Sequence, residues 1–235
     1  MEIYNKNRDN NQSLSDEIRE QNAKLKGAPL KEKLLYFKDY YLLTSVIVIA
    51  ICAFTFSLAY SIITAPKDTA FAAFFYNDYG DSSSTDLIDG FTEYMGIDTS
   101  KHSAYIDASM TYSSDFSDYD SYTGLEKAMA VITAQELDVV VGDAQTIDYY
   151  ARCEFLHDVT DILPEDLLEQ FVDSIFYAEL DDGETIAAGI YVSDAPKLNE
   201  NYYYYEDSGA ILSFIVNSNN IDTAIEFLRF IYMED

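Results

Sequence analysis

An uncharged stretch, residues 40–66, limits what this chain can fold into more than any other feature. It is 27 residues long and contains the apolar run Val46-Ile47-Val48-Ile49-Ala50-Ile51. A bilayer core about 30 Å thick is crossed by about 20 apolar residues in one helix. The stretch therefore predicts a single transmembrane helix over residues 40–65 (Tyr40 to Ala65), with the lipid bilayer as its partner.

The cations around this stretch are distributed unevenly. Lys31, Lys33 and Lys38 precede it, whereas only Lys67 follows it closely. Because positive charges remain on the cytoplasmic side, we expect residues 1–39 to form a cytoplasmic tail and residues 66–235 an extracytoplasmic domain. A cleaved signal peptide is the alternative, but it has a short basic start and an apolar core of about 7–15 residues. The long polar tail and the longer core favour a membrane anchor.

Nearly all of the excess acid lies beyond the apolar stretch. Residues 66–235 contain six Lys/Arg and 35 Asp/Glu, in a chain whose net charge is −28. Such a field repels nucleic acid and anionic lipid head groups, so neither is expected as a partner of this part. The chain also contains 21 Tyr and 14 Phe, enough apolar surface for a core. We therefore expect one folded acidic domain.

Strand and helix patterns alternate along residues 66–235. Apolar runs predict strands at 70–76, 103–112, 137–141, 185–192 and 209–216. Between the strands, apolar residues recur at helical spacing, and one of the predicted helices extends from Leu163 through Ile175. Three consecutive valines, residues 139–141, indicate a strand that is buried on both faces. The order predicts an α/β fold, a largely parallel sheet flanked by helices, preceded by one transmembrane helix.

Three segments together resemble a known family. Residues 128–143 carry a helix ending in Ile132-Thr133-Ala134-Gln135-Glu136 that continues into Leu137-Asp138-Val139-Val140-Val141-Gly142-Asp143, and residues 155–163 and 211–232 follow in order. This succession is similar to extracellular solute-binding proteins of the type 2 periplasmic-binding class, over residues 70–235. The resemblance implies a periplasmic-binding-protein-like single lobe, since little chain remains between Leu180 and Gly209 for a second lobe. It also implies ligand capture or an accessory role in a transport system.

Polar and aromatic residues follow the first three predicted strands. In an open parallel sheet, ligands bind outside the carboxyl ends of the strands, near the point where strand order reverses. Rings stack on apolar faces, and carboxylates and amides orient hydroxyls or attract cations, so the expected ligand is a small solute such as a sugar, peptide or amine. The candidate ligand-binding residues are Tyr76, Asn77, Asp78, Tyr79, Tyr112, Ser113, Gly142, Asp143 and Gln145. Asp78 and Asp143 are also explained as turn and helix-cap residues.

The sequence contains few motifs that would indicate another function. His102 and His157 are far apart and fit no zinc or catalytic-triad spacing, and no Gly-rich phosphate loop occurs. We therefore expect no catalytic residues, no metal, no cofactor and no enzymatic activity.

The alternative to ligand capture is a cell-surface domain that binds another protein, either a membrane transporter or a surface protein. Its acidic faces and the four tyrosines at 202–205 would then form the contact, unless the tyrosines form an irregular edge.

Deleting residues 1–65 is expected to release the protein from membranes. The full chain should sediment with membranes after an alkaline wash and require detergent, because its apolar stretch is long enough to span the bilayer. Deletion of residues 1–39 alone should leave the chain in the membrane fraction. Protease added to intact cells should remove residues 66–235 and spare the tail. A full chain that fractionates as soluble without detergent contradicts the membrane anchor.

Overall fold

The computed structural model describes residues 42–64, 66, 68–78, 80, 83–113, 119–200, 202 and 209–233, together with residues 19, 23, 29–31, 34 and 37–38. The chain divides into two compact units, Met1–Ala65 and Pro66–Asp235. The first unit contains helix α1, Leu42–Thr64. The second contains a mixed sheet with helices on both faces.

Helix α1 is long and apolar enough to span a membrane, by its length and composition. Its 23 residues extend about 34 Å at 1.5 Å per residue. The hydroxyl of Thr55 donates to the carbonyl oxygens of Ile51 and Cys52, both at 3.0 Å, and Thr64 donates to Tyr60 at 2.7 Å. These side chains are therefore satisfied inside the helix, as apolar surroundings require.

The second unit alternates strands and helices through its first half and then changes pattern. Its strands are β1 Asp68–Tyr76, β2 His102–Met110, β3 Val139–Gly142, β4 Ile175–Glu179, β5 Thr185–Tyr191 and β6 Ile211–Phe214. Its helices are α2 Asp86–Met95, α3 Tyr119–Thr133, α4 Ala144–Arg152, α5 Val159–Ile162, α6 Glu165–Phe171, α7 Pro196–Asn199 and α8 Ile221–Ile231. The α/β class predicted from the sequence is confirmed for this unit.

The sheet has the strand order β2-β1-β3-β6-β5-β4. Strand β1 lies parallel to both β2 and β3, as the alternation of strands and helices predicts. The remaining three pairings, β3–β6, β6–β5 and β5–β4, are antiparallel. The sheet is therefore mixed, and the prediction of a largely parallel sheet is wrong for its second half. No helical crossover lies between β4 and β5, so a tight connection forces these two strands to run in opposite directions.

Strand β4 takes the place of the end of a predicted helix. Helix α6 ends at Phe171, a short 3₁₀ turn Val172–Ser174 follows, and the chain then enters β4. Val172, expected to face the core, is 61% exposed. Gly183, at φ +86°, lies in the turn that joins β4 to β5. The Asp-Gly pair in front of an alternating run is a hairpin signal, and it outweighs the helical spacing that ends at Ile175.

The apolar side chains of β1 point alternately into two cores, one on each face of the sheet. Phe71, Ala73 and Phe75 belong to one core, and Ala72, Phe74 and Tyr76 belong to the other. The valines of β3 divide in the same way, with Val139 and Val141 on one face and Val140 on the other. Burial of β3 on both faces, predicted from its three valines, is thus confirmed. Helices α2 and α8 cover one face, and α3 and α4 cover the other.

The carboxylate of Asp138, just before β3, is completely buried. One oxygen accepts a hydrogen bond from the backbone N–H of Ala72 at 2.8 Å. The other accepts from the Ser218 hydroxyl at 2.5 Å and from the Asn220 amide at 3.3 Å. Burial raises the pKa of Asp138, while the bonds from Ser218, Ala72 and Asn220 act in the opposite direction. The carboxylate therefore joins β1, β3 and the turn before α8.

Replacing Asp138 by Ala is expected to lower the free energy of unfolding by more than about 2 kcal/mol, since it leaves a buried backbone N–H and the Ser218 hydroxyl without this acceptor and removes one of the two acceptors of the Asn220 amide. D138N should lie between wild type and D138A, because an amide presents N–H groups to some of these donors. Urea unfolding of the full chain in mild detergent, followed by near-ultraviolet circular dichroism of the tyrosines, measures the difference. The control, D173A at an exposed position, should change stability by less than about 0.5 kcal/mol. Equal stability of D138A and D173A would contradict the assigned role.

Candidate functional site

The carboxyl ends of β1, β2 and β3 lie together at one edge of the sheet. From β1 the chain crosses first to β2 on one side and later to β3 on the other. The strand order therefore reverses between β1 and β3, which is where ligands bind in open α/β sheets. Near this edge, termed here the β1/β3 edge, lie the described residues that the sequence proposes as a ligand site.

Asn77 joins the three strand ends. Its backbone N–H donates to the Met110 carbonyl at 3.0 Å. Its side-chain amide donates to the carbonyl oxygen of Tyr112 at 3.0 Å and to the carboxylate of Asp143 at 3.1 Å. The amide oxygen accepts from the backbone N–H of Tyr112 at 2.9 Å. The backbone of Asn77 has φ +55°, a left-handed conformation that Asn adopts more readily than other non-glycine residues.

Asp143 caps helix α4. One carboxylate oxygen accepts from the backbone N–H of Thr146 at 2.8 Å and from its hydroxyl at 2.7 Å, and the other accepts from Asn77. The helix-cap interpretation of Asp143 is confirmed. Gly142 is also structural, since a Cβ there would lie 3.1 Å from the Thr146 Cβ and 3.3 Å from the Tyr76 Cβ. Ligand binding by these two residues stays a prediction.

Asp78 follows Asn77 in a turn. One carboxylate oxygen accepts from the backbone N–H of Gly80 at 2.9 Å, so the turn interpretation is confirmed. The other oxygen is buried and has no hydrogen-bond partner among the described residues. Burial raises the pKa of Asp78, and the bond from Gly80 opposes that rise. Tyr79, also proposed for the site, lies outside the described residues.

Two tyrosine pairs lie below and beside this edge. The hydroxyls of Tyr76 and Tyr150 are hydrogen-bonded at 2.7 Å inside the core, and burial raises both of their pKa values. The rings of Tyr112 and Tyr149 pack with their centroids 5.0 Å apart. Burial, followed by the neighbouring Cys153, raises the pKa of Tyr149 to about 12. All four phenols therefore remain neutral at physiological pH and act as packing and hydrogen-bonding groups.

The remaining proposed residues lie at the rim. Gln145 is exposed in the first turn of α4, and Ser113 is half-buried just after β2. The structure thus brings four of the proposed residues together. Asn77 is hydrogen-bonded to Tyr112 and to Asp143, and Tyr76 lies beside Gly142. Sequence reasoning missed Thr146, Tyr149 and Tyr150 at this site. The spacing of these residues from Asp143 along α4 was the available signal, since residues three, six and seven positions past a cap lie close to one helix face.

Tyr202 connects the tyrosine run to the same edge. It is 1% exposed, and its ring meets the ring of Phe75 edge-on, with centroids 4.8 Å apart. The connection from β5 to β6 leaves and re-enters the sheet on the side of the β1/β3 edge, because β5 runs parallel to β3 and β6 antiparallel to it. Tyr202 is therefore a core residue, while Tyr203, Tyr204 and Tyr205 lie outside the described residues.

Within the residues that the structure describes, no group of three or more His, Cys, Asp or Glu side chains is arranged to hold a metal ion. His157 is half-buried, and desolvation lowers its pKa, so that it stays neutral near pH 7. His102 lies on β2 with the Asp68 carboxylate 4.0 Å away.

Comparison of the chain with protein-family models, with curated proteins and with solved structures gives no significant match in any of the three.

The Asn77 bridge is expected to stabilise the sheet edge measurably. N77G keeps the positive φ but removes three side-chain hydrogen bonds, so it should lower the free energy of unfolding by about 1–3 kcal/mol. N77A adds the strain of a left-handed alanine, about 1–2 kcal/mol more. Urea unfolding of the full chain in detergent provides the comparison, with N219A at an exposed position as the control. If N77G is as stable as N219A, the side-chain bridge contributes nothing.

Proposed function

We propose that the chain is a membrane-anchored extracytoplasmic protein with its N-terminus in the cytoplasm. Helix α1 is apolar around its circumference, and none of its residues is buried within the protein. A helix of that kind belongs either inside a protein core or in a bilayer. The lysines before residue 40 favour the cytoplasm for the tail. The acidic second unit is then outside, where its charge repels anionic head groups.

We further propose that the second unit captures a small solute at the β1/β3 edge, as a one-lobed relative of solute-binding proteins or as an accessory to a transport system. The observation that carries this proposal is the convergence of Asn77, Asp143 and Tyr112 from three strand ends at the strand-order reversal. The sequence resemblance supports the same function, and the proposal includes no catalytic step.

A sugar, a peptide or an amine remains the expected ligand. Tyr149, whose ring is partly exposed beside the edge, provides apolar stacking surface, and the rim residues Gln145 and Ser113 provide polar groups. The net charge of −28 disfavours anionic ligands and favours neutral or cationic ones.

A protein-binding domain is the second candidate, and one observation favours it. The side chains of Asn77 and Asp143 are hydrogen-bonded to each other and to their neighbours, so the edge is held together without a ligand. A sheet edge stabilised in this way can serve as a rigid platform for a membrane transporter or a surface protein.

A thermal-shift screen of the full chain in detergent, against sugars, short peptides and amines, tests solute capture. A ligand at about 100 times its Kd stabilises the folded state by about 2.7 kcal/mol, which corresponds to a rise in Tm of about 5–10 °C. Q145A and S113A should reduce that rise, because both residues lie at the rim of the β1/β3 edge. The matched control is Q170A, which removes an exposed glutamine on α6 and should leave the rise unchanged.

The screen also separates the two candidates. If no compound of the three classes raises Tm, while cross-linking in membranes joins residues of this edge to a defined membrane protein, solute capture is wrong and the protein-binding function is supported. A rise in Tm that Q145A, S113A and Q170A all preserve places the ligand elsewhere and likewise contradicts capture at this edge.

A further inference from the structure

A cleft lies at the far end of α4 from the β1/β3 edge. It has a volume of about 330 Å³ and is lined by Asp148 and Arg152 from α4 and by Glu179, Leu180 and Asp181 from the end of β4. Small-molecule sites in proteins have volumes of about 300–1,000 Å³. Nine residues of helix separate Asp143 from Arg152, a distance of about 14 Å. The cleft is therefore a separate place in the fold.

Its two walls are held by the rest of the domain. Helix α4 packs across β4 and β5 through Ile147, Tyr150 and Ala151, which are buried. The opposite wall is the β4–β5 turn, in which Leu180 donates to the Glu184 carbonyl at 2.8 Å and Gly183 donates to the Leu180 carbonyl at 3.0 Å. The wall positions are thus fixed before any ligand arrives, which lowers the entropic cost of binding.

Charges of both signs line this cleft. The Nε of Arg152 donates to the backbone carbonyl of Asp148 at 3.3 Å, within the helix. Among the described residues, no salt bridge joins Arg152 to Asp148, Glu179 or Asp181, and none of these three carboxylates accepts a side-chain hydrogen bond. Asp148 is half-buried. Desolvation raises its pKa and the nearby charge of Arg152 acts in the opposite direction, so a further cation beside it would be stabilising.

We propose that this cleft binds a free basic α-amino acid, such as lysine or ornithine. The Arg152 guanidinium is matched to the α-carboxylate, which it binds through two parallel hydrogen bonds. Asp148, Glu179 and Asp181 are matched to the two ammonium groups, and Leu180 provides apolar surface for the methylene chain. Three carboxylates and one guanidinium give the cleft a net charge of −2, which suits a ligand with two positive charges and one negative charge. This site is additional to the proposed solute site at the β1/β3 edge.

Calorimetric titration of the full chain in mild detergent tests this assignment with four probes. L-Lysine should bind at least about tenfold more tightly than norleucine, which lacks the second ammonium, and than cadaverine, which lacks the carboxylate. L-Glutamate should not bind. R152Q should weaken lysine binding about tenfold and should not weaken cadaverine binding, because it removes a cation that repels the diamine, whereas E179Q and D181N should weaken both about tenfold.

Controls distinguish this site from the solute site. K101Q and E165Q remove exposed charges elsewhere and should leave lysine affinity unchanged, and unfolding midpoints verify that every variant is folded. Absence of saturable lysine binding, or equal lysine affinity of R152Q and wild type, overturns the proposal. If Q145A rather than R152Q abolishes lysine binding, the amino acid binds at the β1/β3 edge, so this inference is wrong while solute capture stands. If lysine binding depends on Arg152 and no ligand binds at the β1/β3 edge, this inference stands and the proposed solute capture does not.

Discussion

The fold depends on one buried carboxylate and the donors that surround it. Asp138 is completely buried, and a charge there is tolerated only because its two oxygens receive three hydrogen bonds. Its backbone takes part as well, since its N–H donates to the Ala72 carbonyl and its carbonyl accepts from Ile215. A single residue thus sets the positions of β1 and of the β6–α8 turn relative to β3. The central strands of the sheet meet in the register that this residue fixes.

That register determines which side chains meet at the carboxyl ends of β1, β2 and β3. With Ala73 opposite Val139 and Phe75 opposite Val141, β1 and β3 end at the same level. Asn77 then lies within hydrogen-bonding distance of Asp143, and the irregularity in the β1–β2 pairing after Phe74 brings Tyr112 to the other side of Asn77. The polar cluster at the carboxyl ends follows from strand alignment, and the strands are aligned by apolar side chains on both faces and by Asp138 at the other end.

Sequence patterns predicted those parts of the fold in which local signals agree. Residues 139–141 are apolar, β-branched and followed by Gly-Asp, so β3, its burial and the Asp143 cap could all be foreseen. Strand β4 was missed because apolar residues recur at helical spacing from Leu167 through Ile175. The competing hairpin signal lies several residues downstream. The reversal of strand direction beyond β3 has no local signature, because pairing partners far apart in sequence decide it.

At the candidate site, too, contacts between near neighbours in sequence could be predicted and contacts between distant residues could not. Asp78 and Asp143 were placed correctly as a turn residue and a cap, since both roles depend on neighbours within three residues. The Tyr76–Tyr150 hydroxyl pair joins residues 74 positions apart, and the Asn77–Tyr112 bonds join residues 35 positions apart. Contacts of this kind depend on the finished sheet. The role of Asp138 was hidden for the same reason, because the groups that donate to its carboxylate lie about 66 to 82 positions away, in β1 and in the turn before α8.

The position of β1 in the sheet has a mechanical consequence. Only three residues separate Thr64 at the end of α1 from Asp68 at the start of β1. A pulling force on α1 is therefore applied directly to β1, which is hydrogen-bonded to β2 along its whole length and to β3 at its far end. A strand at the margin of a sheet can be peeled away one bond at a time, but an interior strand must slide past both neighbours at once. The strand that follows α1 in the chain is thus held on both sides against such a force.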